Sequence, residues 1–195
     1  DETTSVFDSV YYYIQEEVTV EDLPSGVING INYINDETVT LVLNAPNKAF
    51  VYLIGDFNNW DVSITTELDE SNPQQVTAST WMMNKTSDGE HFWLTIENVV
   101  PQMEYAYQYF VDGNLRIPDP YTEKILDPSN DGYVTASVYP NLKAYPAGKT
   151  SGLVSTFIPS PSAYSWQIAN FSRPAKTDLV IYEMHIRDFV SKHSY

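Results

Sequence analysis

The chain has 195 residues, 43% hydrophobic and 14% aromatic, which is enough to bury a sizeable core and too apolar for a disordered segment. Its 26 Asp and Glu against 10 Lys and Arg give a net charge of −16, which argues against a nucleic-acid backbone or an anionic membrane surface as partner. With no cysteine, neither a disulfide framework nor a thiolate metal site is available.

The charge is uneven. Residues 1–23 carry seven acids and no Lys or Arg, residues 24–141 carry sixteen acids and four bases, and residues 142–195 carry three acids and six bases. The last quarter therefore differs in kind. No apolar run approaches the roughly 20 residues that span a bilayer, and no signal-peptide pattern opens the sequence. Any export signal is expected to lie outside it.

Residues 1–23 form an acidic segment with strand patterns at 10–14 (VYYYI) and 18–20, read either as an edge strand of the main domain or as the tail of a preceding module. Residues 24–30, with Pro24, Gly26 and Gly30, are turn-rich. Strands are then expected at 38–43 (TVTLVL), 49–54, 80–84, 91–96, 105–111 (YAYQYFV), 115–117 and 133–139, separated by Gly, Asn, Asp or Pro. Segments 80–84 and 91–96 flank Ser87-Asp88-Gly89 as a hairpin, and Asp112-Gly113 is a turn before 115–117. About seven short strands over residues 24–140 is the pattern of an all-β, immunoglobulin-like β-sandwich.

Residues 141–177 hold Pro146, Pro159, Pro161, Pro174, Gly148 and Gly152, and read as a linker that wraps the sandwich in extended form, with Trp166 and Phe171 available to pin it. Residues 178–189 (DLVIYEMHIRDF) alternate as a strand, with Tyr182, Met184 and Ile186 on one face and Glu183, His185 and Arg187 on the other. Six residues follow Phe189, too few for a crossover and a parallel partner. This strand is expected to be an orphan that improvises a pairing with the sandwich edge, the N-terminal strand or another molecule.

The stretch around which the rest is organised is 51–60, VYLIGDFNNW. Trp60 has two readings: its ring caps the end of the core with its N–H on a backbone acceptor, or it lies flat at the surface as a platform for a sugar face, with Asn58 and Asn59 as hydrogen-bonding partners. Trp81 and Trp93, on facing strands, are read as core or cross-strand aromatics. Asp119, Asp127 and Asp131 sit in turn-rich sequence, where ordinary turn chemistry competes with a Ca²⁺ site and fits no EF-hand spacing. His91, His185 and His193 share no metal-ligand spacing, and there is no phosphate-binding loop or nucleophile elbow, so no metal and no cofactor are expected.

GDFNNW at 55–60, YQYFVDG at 107–113, PDPY at 118–121 and KILDP at 124–128 resemble the family 48 carbohydrate-binding module, the isoamylase N-terminal domain. DLVIYEMHIRDF at 178–189 resembles the first barrel strand of the α-amylase superfamily, glycoside hydrolase family 13. The resemblance covers residues 27–190 and implies a sandwich, a linker and the first strand, 178–195, of a truncated (β/α)8 barrel. It also implies a parent enzyme that hydrolyses α-glucosidic bonds in starch-like glucans. Carried over by residue, it makes Trp60, Asn59, Gln108 and Asn130 the candidate carbohydrate contacts. Leu115 stands where a second Trp is found in glycan-binding members, and Gln108 where they have Lys.

The nucleophilic Asp, the acid Glu and the stabilising Asp of that superfamily follow later barrel strands, so no catalytic residue is assigned here. The implied partners are an α-glucan oligosaccharide or polysaccharide and the missing catalytic barrel of its own chain. The acidic, Tyr- and Asn-rich style resembles exported enzymes of Bacteroidetes-like bacteria, which implies a secreted, cell-surface or periplasmic location. Three readings of the chain result: a structural interdomain module, a glycan-binding module centred on Trp60, and a protein-interaction sandwich.

Overall fold

The structure, a computed structural model, describes residues 17–61, 75–78, 80–162, 165–168 and 170–184. The strand expected at 10–14 and the end of the one expected at 178–189 lie outside these residues.

The regular structure of the described chain is β strand, with three short 3₁₀ turns. Its strands are β1 (Gly30–Asn35), β2 (Thr38–Asn44), β3 (Val51–Gly55), β4 (Asn84–Lys85), β5 (His91–Glu97), β6 (Tyr105–Val111), β7 (Leu115–Ile117), β8 (Lys124–Leu126) and β9 (Val154–Phe157). They build two antiparallel sheets, ordered β1-β2-β5-β4 and β3-β6-β9-β8, with β7 paired to β6. No helix among the described residues is long and apolar enough to cross a membrane.

Period-two alternation explains why the sheets face each other. Val39, Leu41 and Leu43 of β2 and Phe92, Leu94 and Ile96 of β5 point inward, to meet Val51 and Leu53 of β3 and Tyr105, Tyr107, Tyr109 and Val111 of β6. The β6–β7 hairpin turns at the expected dipeptide. Asp112 and Gly113 both take positive φ, 50° and 72°, and the Asn114 N–H closes the turn on Val111 O at 3.2 Å.

Residues 81–83 hydrogen-bond to β3, with Leu53 N–H donating to Trp81 O and Met83 N–H to Val51 O, both at 2.8 Å. The chain then crosses to the other sheet, where Asn84 and Lys85 pair with Trp93 and Phe92. The expected hairpin is present, but its first arm is shared between the two sheets.

The described end of the N-terminal segment is an edge of the first sheet. Val20 bridges Lys85 in parallel, Glu21 N–H donates to Lys85 O and Lys85 N–H to Thr19 O, each at 2.9 Å. The Trp93 indole N–H donates to Glu21 O at 2.8 Å.

Three expectations are corrected. Residues 133–139 are not a strand: Asp131–Tyr133 is a 3₁₀ turn, and Thr135 O accepts from both Val138 N–H and Tyr139 N–H, so the segment curls on itself. Its β-branched residues suit a ladder, but the place beside β6 is filled by β9, which pairs Tyr105 with Phe157 and Tyr107 with Ser155. The linker expected over 141–177 thus contains a buried interior strand, and the sandwich extends past residue 140 to Phe157.

The third correction concerns the C-terminal strand. Lys176–Asp178 is a 3₁₀ turn, and residues 179–184 are exposed and outside any strand, Val180 at 97% and Ile181 at 85%. Among the described residues, Tyr182 and Met184 join neither the sandwich edge nor the N-terminal segment. β1 and β8, by contrast, form although propensity does not mark them, since β2 and β9 supply their partners.

Candidate functional site

The sequence-selected residues fall at the end of β3 and on the outer face of β6. β3 ends at Gly55 because the chain must pass tightly against its neighbour: a Cβ there would meet Ala106 O at 2.5 Å and the Phe57 ring at 2.8 Å. A 3₁₀ turn, Asp56–Asn58, comes next. Asn58 is buried and holds the turn together, accepting from Gly55 N–H at 2.9 Å and donating to Leu53 O at 2.9 Å. It is a structural staple of the turn, with its amide oxygen and nitrogen both bonded to backbone. Asn59 and Trp60 take positive φ, 53° and 67°, and Trp60 N–H closes the turn on Gly55 O at 2.9 Å.

That backbone twist turns the Trp60 ring inward. Trp60 is 5% exposed and packs with Ile54, Ala106, Leu126 and Val154 on the outer face of the second sheet, joined by Leu142 and Tyr145. Its indole N–H donates to Asp56 Oδ1 at 3.2 Å. The exposed-platform reading is therefore corrected: the ring is core, held by an acceptor four residues back. Trp81 and Trp93 are also buried, Trp81 stacked on Phe57 with centroids 4.9 Å apart.

The outer sheet face is covered by residues 141–153. Asp56 Oδ2 accepts from Ala106 N–H and from Lys143 Nζ, both at 2.9 Å. Lys149 Nζ donates to Asn59 Oδ1 at 2.8 Å. Gln108 is wholly buried on the central strand β6, and its amide donates to Ser151 O at 2.9 Å and Leu153 O at 2.6 Å, while Thr150 Oγ1 donates to its Oε1.

The wrap expected of this segment exists, but Leu142 and Tyr145 pin it, whereas Trp166 and Phe171 are 77% and 71% exposed. Trp60, Asn59 and Gln108 thus meet one strap. Asn130 serves a separate exposed turn, donating to Asp127 Oδ2 at 2.6 Å. With that amide first and the Ser129 N–H second, the hydrogen bonds hold the Asp127 carboxyl below its ordinary range.

A second buried polar cluster lies inside the sandwich. Asp119, 2% exposed, accepts at Oδ2 from the Tyr107 hydroxyl at 2.8 Å and the Tyr109 hydroxyl at 3.0 Å, and at Oδ1 from Tyr121 N–H at 2.8 Å. Its own N–H donates to Ser155 Oγ at 2.7 Å. Burial first, then the Asp119 charge, pushes the Tyr109 phenol well above its ordinary value; for Tyr107 burial again leads, then Tyr109 and Asp119. Asp119 thereby ties the 118–122 turn to β6 and β9. Among the described residues no group of three or more His, Asp or Glu side chains is arranged to hold a metal ion.

Sequence reasoning misses the partners that decide the site. Asp56 stands inside GDFNNW but reads as turn chemistry, and Lys143, Tyr145 and Lys149 are hidden in a stretch whose Pro and Gly content reads as linker. No protein-family model matches the chain, and no curated protein matches it.

Proposed function

We propose that this chain is the immunoglobulin-like, non-catalytic module of an α-amylase-family glycoside hydrolase acting on α-glucans such as starch, glycogen or pullulan, and that its role is structural and interdomain. The sequence motifs that carry the resemblance supply the joints of the sandwich. GDFNNW makes the turn after β3, YQYFVDG makes β6 and its hairpin turn, and PDPY contributes Asp119 to the buried phenol cluster. The observation that carries the structural reading is the commitment of Trp60 to Asp56 and of Gln108 to the strap. Groups whose hydrogen bonds are already satisfied within the protein offer a ligand little, because an incoming hydroxyl only exchanges one bond for another.

The apolar side chains of residues 179–184 stand in solvent. An uncovered run of that kind suits burial against a further β element, which fits a module set beside a barrel. Hydrolysis itself belongs to carboxylates of that barrel, and the whole enzyme acts outside the cytoplasm on polysaccharide. Titration with maltoheptaose and β-cyclodextrin, followed by Trp fluorescence, tests the reading. A flat response up to millimolar sugar is expected. Saturable binding that Trp60→Ala abolishes would make the module a glycan binder instead.

A further inference from the structure

The outer face of the β3-β6-β9-β8 sheet carries a polar residue at its centre, Gln108, between Ala106 and Phe110 on β6. A permanent cover is cheapest when both surfaces are apolar, since a buried amide must find partners on whatever lies above it. Here all three hydrogen bonds of the Gln108 carboxamide go to the strap: Ser151 O, Leu153 O and Thr150 Oγ1.

The other attachments are also polar, Lys143 to Asp56 and Lys149 to Asn59. Apolar cover comes from Leu142 and Tyr145, both only partly buried, while residues 147–149 and 151–153 are exposed. The strap bends at three left-handed positions, Asn141 (φ 61°), Gly148 (φ 79°) and Gly152 (φ 77°). A segment with little apolar burial and exchangeable bonds opens at a small fraction of the free energy that unfolds a core.

We propose that residues 141–153 are a latch, which releases from the outer sheet face while the two-sheet core stays folded, and so uncovers Trp60 and Gln108 together and frees the exposed Asn59 from Lys149. Asp56 is the pivot of the latch. It holds Trp60 and Ala106 from below and Lys143 from above, so the aromatic face and the strap are tied to one carboxylate. The latch goes beyond the scaffold role and does not depend on it.

Site-resolved tryptic cleavage of the native chain tests this, because protease cuts only where backbone leaves the fold and the side chain is free. Lys143 and Lys149 are tethered in the closed strap, and Lys85 in β4 and Lys124 in β8 serve as core references. Cleavage after Lys143 and Lys149 is expected under native conditions while the bonds after Lys85 and Lys124 stay intact. Gln108→Leu, which keeps the face filled but removes the strap's partners, is expected to raise cleavage after Lys149 about tenfold. Asp56→Asn is expected to raise cleavage after Lys143 about threefold and covers the case in which Gln108→Leu does not fold. Cleavage of the strap only in step with the two core sites, or rates unchanged in the variants, overturns the proposal.

Discussion

The indole N–H of Trp60 and the carboxylate of Asp56 meet at 3.2 Å within one turn of chain, and the same carboxylate takes the Ala106 N–H and Lys143 Nζ. This one acid joins the turn after β3, the central strand β6 and the strap. Trp60→Ala is therefore expected to remove a core ring and orphan part of that network, at a cost of about 3–5 kcal/mol measured by urea unfolding. Trp60→Phe keeps most of the packing and is expected to cost about 1 kcal/mol beyond the lost ring area.

At Asp119 the expected loss comes from what is left behind. Asp119→Ala strands the Tyr107 and Tyr109 hydroxyls in the core and is expected to destabilise by about 2–5 kcal/mol. Chemical unfolding checks it, and Asp119→Asn, whose amide oxygen can take the place of Oδ2 and keep both hydroxyls while losing the acceptor for Tyr121 N–H, is expected to fall between that variant and the parent.

The same cluster sets an alkaline limit. Tyr107 and Tyr109 are held above the ordinary phenol value of 10.0, so the folded state keeps protons that the unfolded chain gives up. Their contribution to stability is complete below 10 and is lost as pH rises from there through the folded values. Tyrosine absorbance against pH is expected to show phenolate from these two only as the sandwich unfolds, with circular dichroism lost in the same interval.

On the acid side, Asp112 is informative. Burial pushes its carboxyl up, but the Ala49 and Phe50 N–H groups and Lys48 outweigh that and hold it below 3.8. Stability from this group is present above 3.8 and is lost as pH falls through the lowered value. Asp112→Asn keeps the turn-forming residue type at φ 50° and is expected to be less stable than the parent at neutral pH, with the gap closing in acid. Urea unfolding of both proteins across that pH range checks it.

Gly30 tests the seam between β1 and the 118–122 turn. It sits at φ +88°, and a Cβ there would meet Tyr121 Cβ at 2.5 Å. Gly30→Ala is expected to destabilise by more than the roughly 1 kcal/mol of left-handed strain alone, because Tyr121 must also move, and a lowered melting temperature reads it out.

How far the sequence reveals this molecule depends on whether a residue's role is set locally. β2, β3, β5 and β6 are legible because period-two alternation fixes which side chains face the core, and Asp112-Gly113 because few residue pairs accept two positive φ values. β9 is not legible, since VSTF is strand only by virtue of its place between β6 and β8. Trp60 is ambiguous for the same reason: nothing in NNW says which way an indole turns until residues 142–153 are laid over it. Gln108 stands out as a candidate contact, and the structure gives it a partner from within the chain, 43 residues downstream at Ser151.

The most direct test of the account is the indole ¹H–¹⁵N signal of Trp60, assigned by its absence in Trp60→Phe and followed in heavy water with and without maltoheptaose. A signal that exchanges no faster than the strap opens and does not shift with sugar is the result expected of a buried ring bonded to Asp56. Rapid exchange together with a saturable shift on adding the sugar would contradict the account and make Trp60 a binding platform.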